Sequence, residues 1–380
     1  MRRHRSPIAP KHAPASPHPH ASHPCPCRCS CDDMHHTHHA THTAHDETSR
    51  MSSPNDDLLT AQLSKLGALR AALAQAVVGQ EAVVEQLLIG LLAGGHCLLE
   101  GAPGLGKTLL VRSLGQALEL QFRRVQFTPD LMPSDILGTE LLEEDHGTGH
   151  RHFRFQQGPI FTNLLLADEL NRTPPKTQAA LLEAMSERTV SYAGTTYALP
   201  APFFVLATQN PIEQAGTYPL PEAQLDRFLL HVRVDYPSEQ EERDILTQTT
   251  GTASAQVPKV MDAASVQALQ QHVREVHVGA DLLTWINRLV RASRPGPQAS
   301  EEVRQWIKWG AGPRAGQSLV LASKARALLH GRLAATREDV TALAAPVMRH
   351  RLLLSFAAEA EQRSADDVIA ALLRAVPYPA

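Results

Sequence analysis

Long apolar runs are missing from this 380-residue chain. Nowhere do 18 apolar residues follow one another, so no transmembrane span is expected. The basic opening MRRHRSPIAPKHAPASPHPH has no hydrophobic segment behind it and does not read as a secretory signal. Cysteine is scarce: there are five, and four of them are Cys25, Cys27, Cys29 and Cys31. Their strict alternation, CPCRCSC, is not the paired C-x2-C spacing of a structural zinc site. The fifth, Cys97, lies in an apolar run and is expected in the core. That usage excludes a disulfide scaffold and makes a reducing cytoplasm the simplest compartment. An excess of one charge is also lacking. The formal net charge is −3, which calls for neither a nucleic-acid nor a membrane partner, although a local basic pore fits within such a balance.

What remains is a globular composition, with 43% apolar and 20% charged residues, in a chain long enough for two domains with cores of their own. Residues 1–50 stand apart. They hold 11 of the 20 histidines, many prolines and almost no large aliphatic side chains, so ordering them is not offset by burial. A disordered tail is expected there. The sequence from Met51, MSSPNDDLLTAQLSKL, opens like an ordinary domain start, and we expect translation to begin at Met51. The competing reading is a metal-binding tail, since histidine and cysteine ligate zinc, nickel and copper.

From Asp56 the spacing of leucines and valines predicts a helix, then a second one through VGQEAVVEQLLIGLLAGG ending at Gly94–Gly95. HCLLEGAPGLGKTLLVRSLGQAL reads as strand, glycine turn and helix. Further strands are expected at RRVQFT, FTNLLLADE and PFFVLATQN, a helix at PPKTQAALLEAMSER, and a hairpin turning at Ala193–Gly194. Alternating strands and helices imply an α/β fold, a mostly parallel sheet sandwiched by helices. The character changes near Tyr236–Pro237. Ser238 and Glu241 fit a capping box, and helices are expected near 263–274, 279–292, 299–308, 317–331, 336–349 and 361–374 with no strand between them. The expected division is a tail at 1–50, an α/β core at 51–236 and an all-helical domain at 237–380, joined by a short linker that permits hinged motion.

Gly101-Ala102-Pro103-Gly104-Leu105-Gly106-Lys107-Thr108 matches G-x-x-x-x-G-K-[ST] in full. A polyphosphate needs several inward backbone N–H groups, which a tight glycine turn can present, and the following helix adds its positive end. Lys107 suits the β and γ phosphates, and Thr108 offers a hydroxyl to Mg2+. Asp168 and Glu169 end the apolar run LLLADE, at the strand end where parallel sheets bind ligands. Asp168 suits the metal, and Glu169 suits the attacking water. Asn210 ends the next strand; it reads either as a ligand of γ-phosphate or water, or as a turn former before Pro211. Arg227 reads either as an arginine finger or as a surface residue of a helix.

Residues from about 60 to 375 resemble the MoxR-type AAA+ ATPases, relatives of magnesium-chelatase ATPase subunits and MCM-type helicases. The resemblance is carried by VVGQE (77–81), LLEGAPGLGKT (98–108), QFTPDLMPSDILG (126–138), FRFQQGPIFTNLLLADELNRTPPKTQAALLEAMSER (153–188), ATQNPIEQAGTYPLPEAQLDRFL (207–229) and GAGPRA (310–315). It implies a P-loop fold of the AAA+ type, with a helical lid after the sheet. It implies that Lys107 and Thr108 form the Walker A pair, Asp168 and Glu169 the Walker B pair, and that Asn210 is sensor 1. Arg227 becomes the finger reaching into a neighbouring subunit, and Arg314 becomes sensor 2. Val78, Gly79 and Gln80 are placed near adenine, and the nucleotide-contacting run extends through Leu109. Segments 143–157 and 189–199 resemble the hairpin inserted in helix 2 and the pre-sensor-1 hairpin. Gly312 departs from the family, where serine is commoner, and the tail has no family counterpart.

The resemblance further implies ATP hydrolysis with Mg2+ in a ring, expected to be a hexamer. The work is expected to be chaperone-like maturation or cofactor loading of a client, alongside a partner with a von Willebrand factor A domain. The rival readings are a nucleotide-gated scaffold, a magnesium-chelatase-like subunit and a DNA motor. The last is disfavoured because 189–199 holds no lysine or arginine, while His150, Arg151, His152 and Arg154 leave the other hairpin open to it.

Overall fold

A computed structural model describes residues 54–102, 104–144, 151–210, 216–249 and 257–379. The expected tail therefore lies outside the described residues. Two helices, α1 (Pro54–Ala76) and α2 (Glu81–Leu92), precede the first strand, β1 (Cys97–Gly101). Next come α3 (Lys107–Ala117), β2 (Phe122–Gln126), the short α4 (Pro133–Leu137), and a hairpin of β3 (Gly138–Glu144) and β4 (Arg151–Gln157). Strand β5 (Leu164–Asp168) leads to α5 (Pro175–Glu187), a second hairpin of β6 (Thr189–Tyr192) and β7 (Thr195–Ala198), then β8 (Phe204–Gln209), α6 (Glu222–Leu225) and β9 (Leu230–Val234).

The main sheet has the order β2-β5-β8-β1-β9, and every pairing in it is parallel. Side chains alternate across it with the period of two that a strand imposes. Leu164 and Leu166, Phe204 and Leu206, and Cys97 and Leu99 face a cluster with α1, α2 and α3. Leu165 and Ala167, Val205 and Ala207, and Leu98 face the other cluster, with α5 and Phe127. Burial on both faces explains why these strands read as continuous apolar runs rather than as alternating ones. The expected hairpin turn is present: Ala193 (φ 48°) and Gly194 (φ 83°) are both left-handed, the two-residue geometry that suits the strand twist.

Beyond β9 the chain is mainly helical: α7 (Glu239–Thr249), α8 (Ala263–Glu275), α9 (Ala280–Ala292), α10 (Glu301–Trp306), then β10 (Ile307–Trp309), α11 (Pro313–Leu329), α12 (Arg337–Met348), β11 (Leu353–Leu354), α13 (Phe356–Ala360) and α14 (Ala365–Ala375). The Ser238–Glu241 capping box forms: the Ser238 N–H donates to Glu241 Oε2 at 2.6 Å. Helix α9 buries Leu282, Trp285, Ile286, Leu289 and Val290, one stripe at helical spacing. These side chains belong to the same apolar cluster as α2 and the first face of the sheet. The expectation of an uninterrupted helical region needs correction. The helix expected at 299–308 stops at Trp306, and Ile307–Trp309 pairs antiparallel with Leu353–Leu354. Strands of three and two residues are too short to show a period, and the partner lies more than forty residues away.

Candidate functional site

The glycine loop leaves β1 at the carboxyl edge of the sheet and ends at the first turn of α3. Gly104 (φ 85°) and Gly106 (φ 73°) are left-handed, and a Cβ built on either would meet nothing within 4 Å, so both face open space. Gly101 is required for another reason: a Cβ there would come within 2.5 Å of the Val234 carbonyl oxygen on the neighbouring strand. Ala102 is buried, and Pro103 lies outside the described residues.

Gly104, Leu105, Gly106, Lys107, Thr108 and Leu109 line a cavity of about 400 Å3 together with Asp168, Glu169, Thr208, Gln209, Asn210 and Arg124. Within it Lys107 is half-buried. Its ammonium donates to the Gly101 carbonyl, which curls the side chain back over its own loop. Burial lowers its pKa, and Asp168, Glu100 and Glu169 oppose that shift. Asp168 ends β5. Its Oδ1 accepts from Thr208 Oγ1 at 2.6 Å, and its Oδ2 accepts from Arg124 Nη2 at 2.6 Å and Nε at 3.0 Å. Glu169 follows in the left-handed region (φ 56°, ψ 47°), which turns its side chain out of the strand alternation. Its N–H donates to Thr208 Oγ1 at 2.9 Å, and its Oε2 accepts from Gln126 Nε2 and from Arg172 Nε, the latter at 3.1 Å. Asn210 is buried at the end of β8.

A second cavity, of about 600 Å3, shares Gly104, Leu105, Gly106 and Leu109 with the first. Val78 and Gln80 line it, as do Tyr236, Pro237, Ile245 and Leu246 from β9's exit and α7. Gly79 (φ 72°) makes the turn between them, with the Glu241 side chain where a Cβ would sit. Gln80 Nε2 donates to the Leu105 carbonyl at 2.8 Å and ties this turn to the glycine loop. The larger cavity is mainly apolar and suits a flat base, while the smaller is polar and suits phosphates.

Gly79, Gly101 and Ala102 are not among the residues lining either cavity, and neither are the two expected arginines, Arg227 and Arg314. Arg227 donates from Nη1 to the Leu182 carbonyl on α5. Arg314, on the first turn of α11, donates from Nη1 to Asp226 Oδ2 at 3.3 Å. Conversely, the sequence reading missed Arg124, Gln126, Thr208 and Arg172. Strand register could have found the first two, since β2 pairs Gln126 with Asp168 and Arg124 with Leu166.

Known proteins resemble this chain. The family described as "ATPase family associated with various cellular activities (AAA)" matches residues 96–230, and the one described as "AAA lid domain" matches 299–372. The protein named Chaperone MoxR1 of Mycobacterium tuberculosis is 43% identical over 304 residues, covering 80% of this chain and 79% of that one. This chain belongs to the MoxR family of AAA+ ATPases. Protein MoxR of Paracoccus denitrificans is 33% identical, over 82% of this chain and 95% of its own. A solved structure of a Cytophaga hutchinsonii protein superposes with a TM-score of 0.80 at 39% identity, covering 86% of this chain and 98% of that one. Residues 299–372 of this MoxR-family chain, from α10 into α14, are accordingly an AAA lid. No described helix is long and apolar enough to cross a membrane.

Proposed function

We propose that this chain hydrolyses ATP to ADP and phosphate with Mg2+, and that the reaction drives chaperone-like remodelling, maturation or cofactor loading of a client protein. One observation carries the reading: the glycine loop, Lys107, Thr108, Asp168, Glu169 and Asn210 surround a single polar cavity next to an apolar one.

The chemistry of the residues fits both ligands. Gly104 and Gly106 open a cradle free of side chains for the phosphates. Lys107 is within its own reach of that cradle, provided it leaves the Gly101 carbonyl. The Thr108 hydroxyl and the Asp168 carboxylate, both lining the cavity, are hard oxygen donors of the kind Mg2+ takes. When bound, Mg2+ offsets charge on the β and γ phosphates. Glu169 is the group to orient the attacking water, once its carboxylate exchanges Gln126 or Arg172 for that water. Asn210 adds a neutral amide beside the γ-phosphate. Arg314 is read as sensing the γ-phosphate of its own subunit. Arg227 is read as acting on a neighbour's site in a ring, expected to be a hexamer, because its guanidinium is bonded to the Leu182 carbonyl on α5 and it does not line the cavity of its own chain.

The name Chaperone MoxR1 supports a client protein as the object of the work. A partner with a von Willebrand factor A domain belongs to the same reading. A DNA motor is disfavoured by the first hairpin. Arg151 pairs with Glu144 at 2.9 Å, and Arg154 and His152 face Glu143 at 3.2 and 3.8 Å, so these basic groups are matched by acids on the opposite strand. His150 lies outside the described residues.

Nucleotide titration and phosphate release on two variants test the proposal. Lys107→Ala is expected to weaken ATP binding sharply. Glu169→Gln is expected to keep binding and lose turnover, and chelating the metal is expected to stop turnover in the unaltered protein. Normal hydrolysis by Glu169→Gln would overturn the assignment.

A further inference from the structure

The turn after α6 carries two consecutive charged residues that face different parts of the molecule. Arg227 is bonded to α5. Asp226 faces the lid, where each of its carboxylate oxygens takes a different arginine. Oδ1 accepts from Arg351 Nε at 2.7 Å, and Oδ2 accepts from Arg314 Nη1 at 3.3 Å.

The two arginines are held very differently. The Arg351 side chain is 2% exposed. It also donates to the carbonyls of Phe228 (2.6 Å) and Val347 and to Ser318 Oγ (3.2 Å). It is a fixed strut between the lid and the Asp226–Leu229 segment, and nothing in its surroundings invites it to move. The Arg314 side chain is 56% exposed, and its bond to Asp226 is a single long contact. Exposed pairs of this kind are weak and easily exchanged.

We propose that Asp226 is a positioning residue: it seats Arg314 while the site lacks a γ-phosphate, and releases it when one binds. This rests on the reading of Arg314 as the γ-phosphate ligand given above. A γ-phosphate offers a guanidinium short, charge-assisted and bidentate bonds, which outcompete one 3.3 Å contact to a carboxylate already shared with Arg351. Asp226 keeps its bond to Arg351 throughout, so the segment stays docked on the lid and only its second oxygen changes partner. Because Arg227 is the next residue, that change is one peptide away from the group read as serving the neighbouring subunit. The same carboxylate thus links the occupancy of one site to the finger of the next.

The experiment compares a non-hydrolysable fluorescent ATP analogue with its ADP counterpart, both with Mg2+, on the full chain. Asp226→Asn can still accept from Arg351 but loses the charge that retains Arg314. It is expected to bind the ATP analogue about two- to fivefold more tightly, with ADP affinity unchanged. The gain is expected to vanish in Asp226→Asn/Arg314→Gln, and Asp226→Glu is expected to return toward the parent value. The Hill coefficient for hydrolysis is expected to fall toward that of independent sites in Asp226→Asn. A gain that persists without Arg314, or that is equal for ADP, overturns the seating role. An unchanged Hill coefficient overturns the link to the neighbour. If Arg314→Gln alone leaves the preference for the ATP analogue intact, the reading of Arg314 is what fails, and the seating role falls with it. If that variant loses the preference while Asp226→Asn has no effect, the role of Asp226 fails by itself. Should Asp226→Asn unfold, Asp226→Asn/Arg351→Gln removes the buried charge along with its partner and carries the same comparison.

Discussion

Thr208 stands between the two acids of the site: its hydroxyl donates to Asp168 Oδ1 at 2.6 Å and accepts the Glu169 N–H at 2.9 Å. It is buried on the central strand β8, so one oxygen sets both the rotamer of Asp168 and the left-handed turn at Glu169. Thr208→Val keeps the shape and removes both bonds. We expect nucleotide affinity to be largely kept, turnover to fall about tenfold to a hundredfold through misplaced groups, and stability to drop by about 1–3 kcal/mol for the polar groups left without partners. Nucleotide titration, phosphate release and a denaturant melt check the three parts. A fall in affinity with turnover kept would place Thr208 in binding rather than in geometry.

Arg124 holds the other oxygen of Asp168, at 2.6 Å, from the neighbouring strand. A guanidinium there offsets the charge that a metal would use, and the Arg124 side chain is 47% exposed, so the pair is open to solvent and ions. Arg124→Ala is expected to lower the Mg2+ concentration for half-maximal nucleotide binding, by roughly two- to fivefold on the scale of exposed pairs. Titration of Mg2+ at fixed ATP measures it. A rise instead would mean that Arg124 organises the carboxylate for the metal rather than competing with it.

The parts of this protein that were readable in sequence are those in which one residue type answers one local need. Gly104 and Gly106 are glycines because the loop is left-handed there, and LLLAD is apolar because both faces of β5 are covered. What stayed hidden depends on contacts between distant segments. Arg124 and Gln126 look like ordinary exposed strand residues until β2 is placed beside β5 in register. Thr208 is inconspicuous in FFVLATQN until β8 comes to lie beside β5. The β10–β11 pair and the bond between Arg314 and Asp226, 88 residues apart, have no local pattern at all.

Asp339 shows how the lid fastens α12 to α11 and to the turn between them. It is fully buried at the start of α12, where it accepts from Arg326 Nη1 at 2.7 Å, from Arg332 Nη1 and Nη2 at 2.8 and 2.6 Å, and from the Thr336 N–H at 2.8 Å. Burial pushes its pKa up, but Arg332, the Thr336 N–H and Arg326 more than reverse this, bringing it from 3.8 to about 2. The folded state thus holds this proton more weakly than the unfolded one. The contribution, about 2 kcal/mol, is fully present above pH 3.8 and is lost as pH falls through 2. Asp339→Asn is expected to cost about 3 kcal/mol or more by leaving Arg332 without its charge partner and Arg326 with Glu85 as its remaining acid. It is also expected to flatten the acid limb of the stability profile between pH 4 and 2, read from denaturant melts across that window. An unaltered acid limb would move the effect to other carboxylates.

Arg227 bears on whether a site is completed within one chain or between two. Its guanidinium donates to the Leu182 carbonyl on α5, while Lys107, Asp168, Glu169 and Asn210 line a cavity of which it is not part. If Arg227 acts in its own chain it must leave α5 and cross to that cavity. If it acts on a neighbour, α5 serves as the support that aims it outward. Mixing decides between these. Arg227→Ala subunits keep Glu169 and lack the finger, and Glu169→Gln subunits keep the finger and lack the water-orienting acid, so each is expected to be inactive alone. In mixed assemblies some interfaces combine an intact Glu169 with an intact Arg227 from the adjoining chain. Random mixing in equal amounts is expected to restore about a quarter of the sites, since each interface must draw the right chain on both sides. Phosphate release on the mixture, with subunit exchange followed by labelled chains, measures that recovery. A mixture that exchanges freely and stays inactive means that both residues serve the same chain, and the support by α5 would then be a resting contact that Arg227 gives up during turnover.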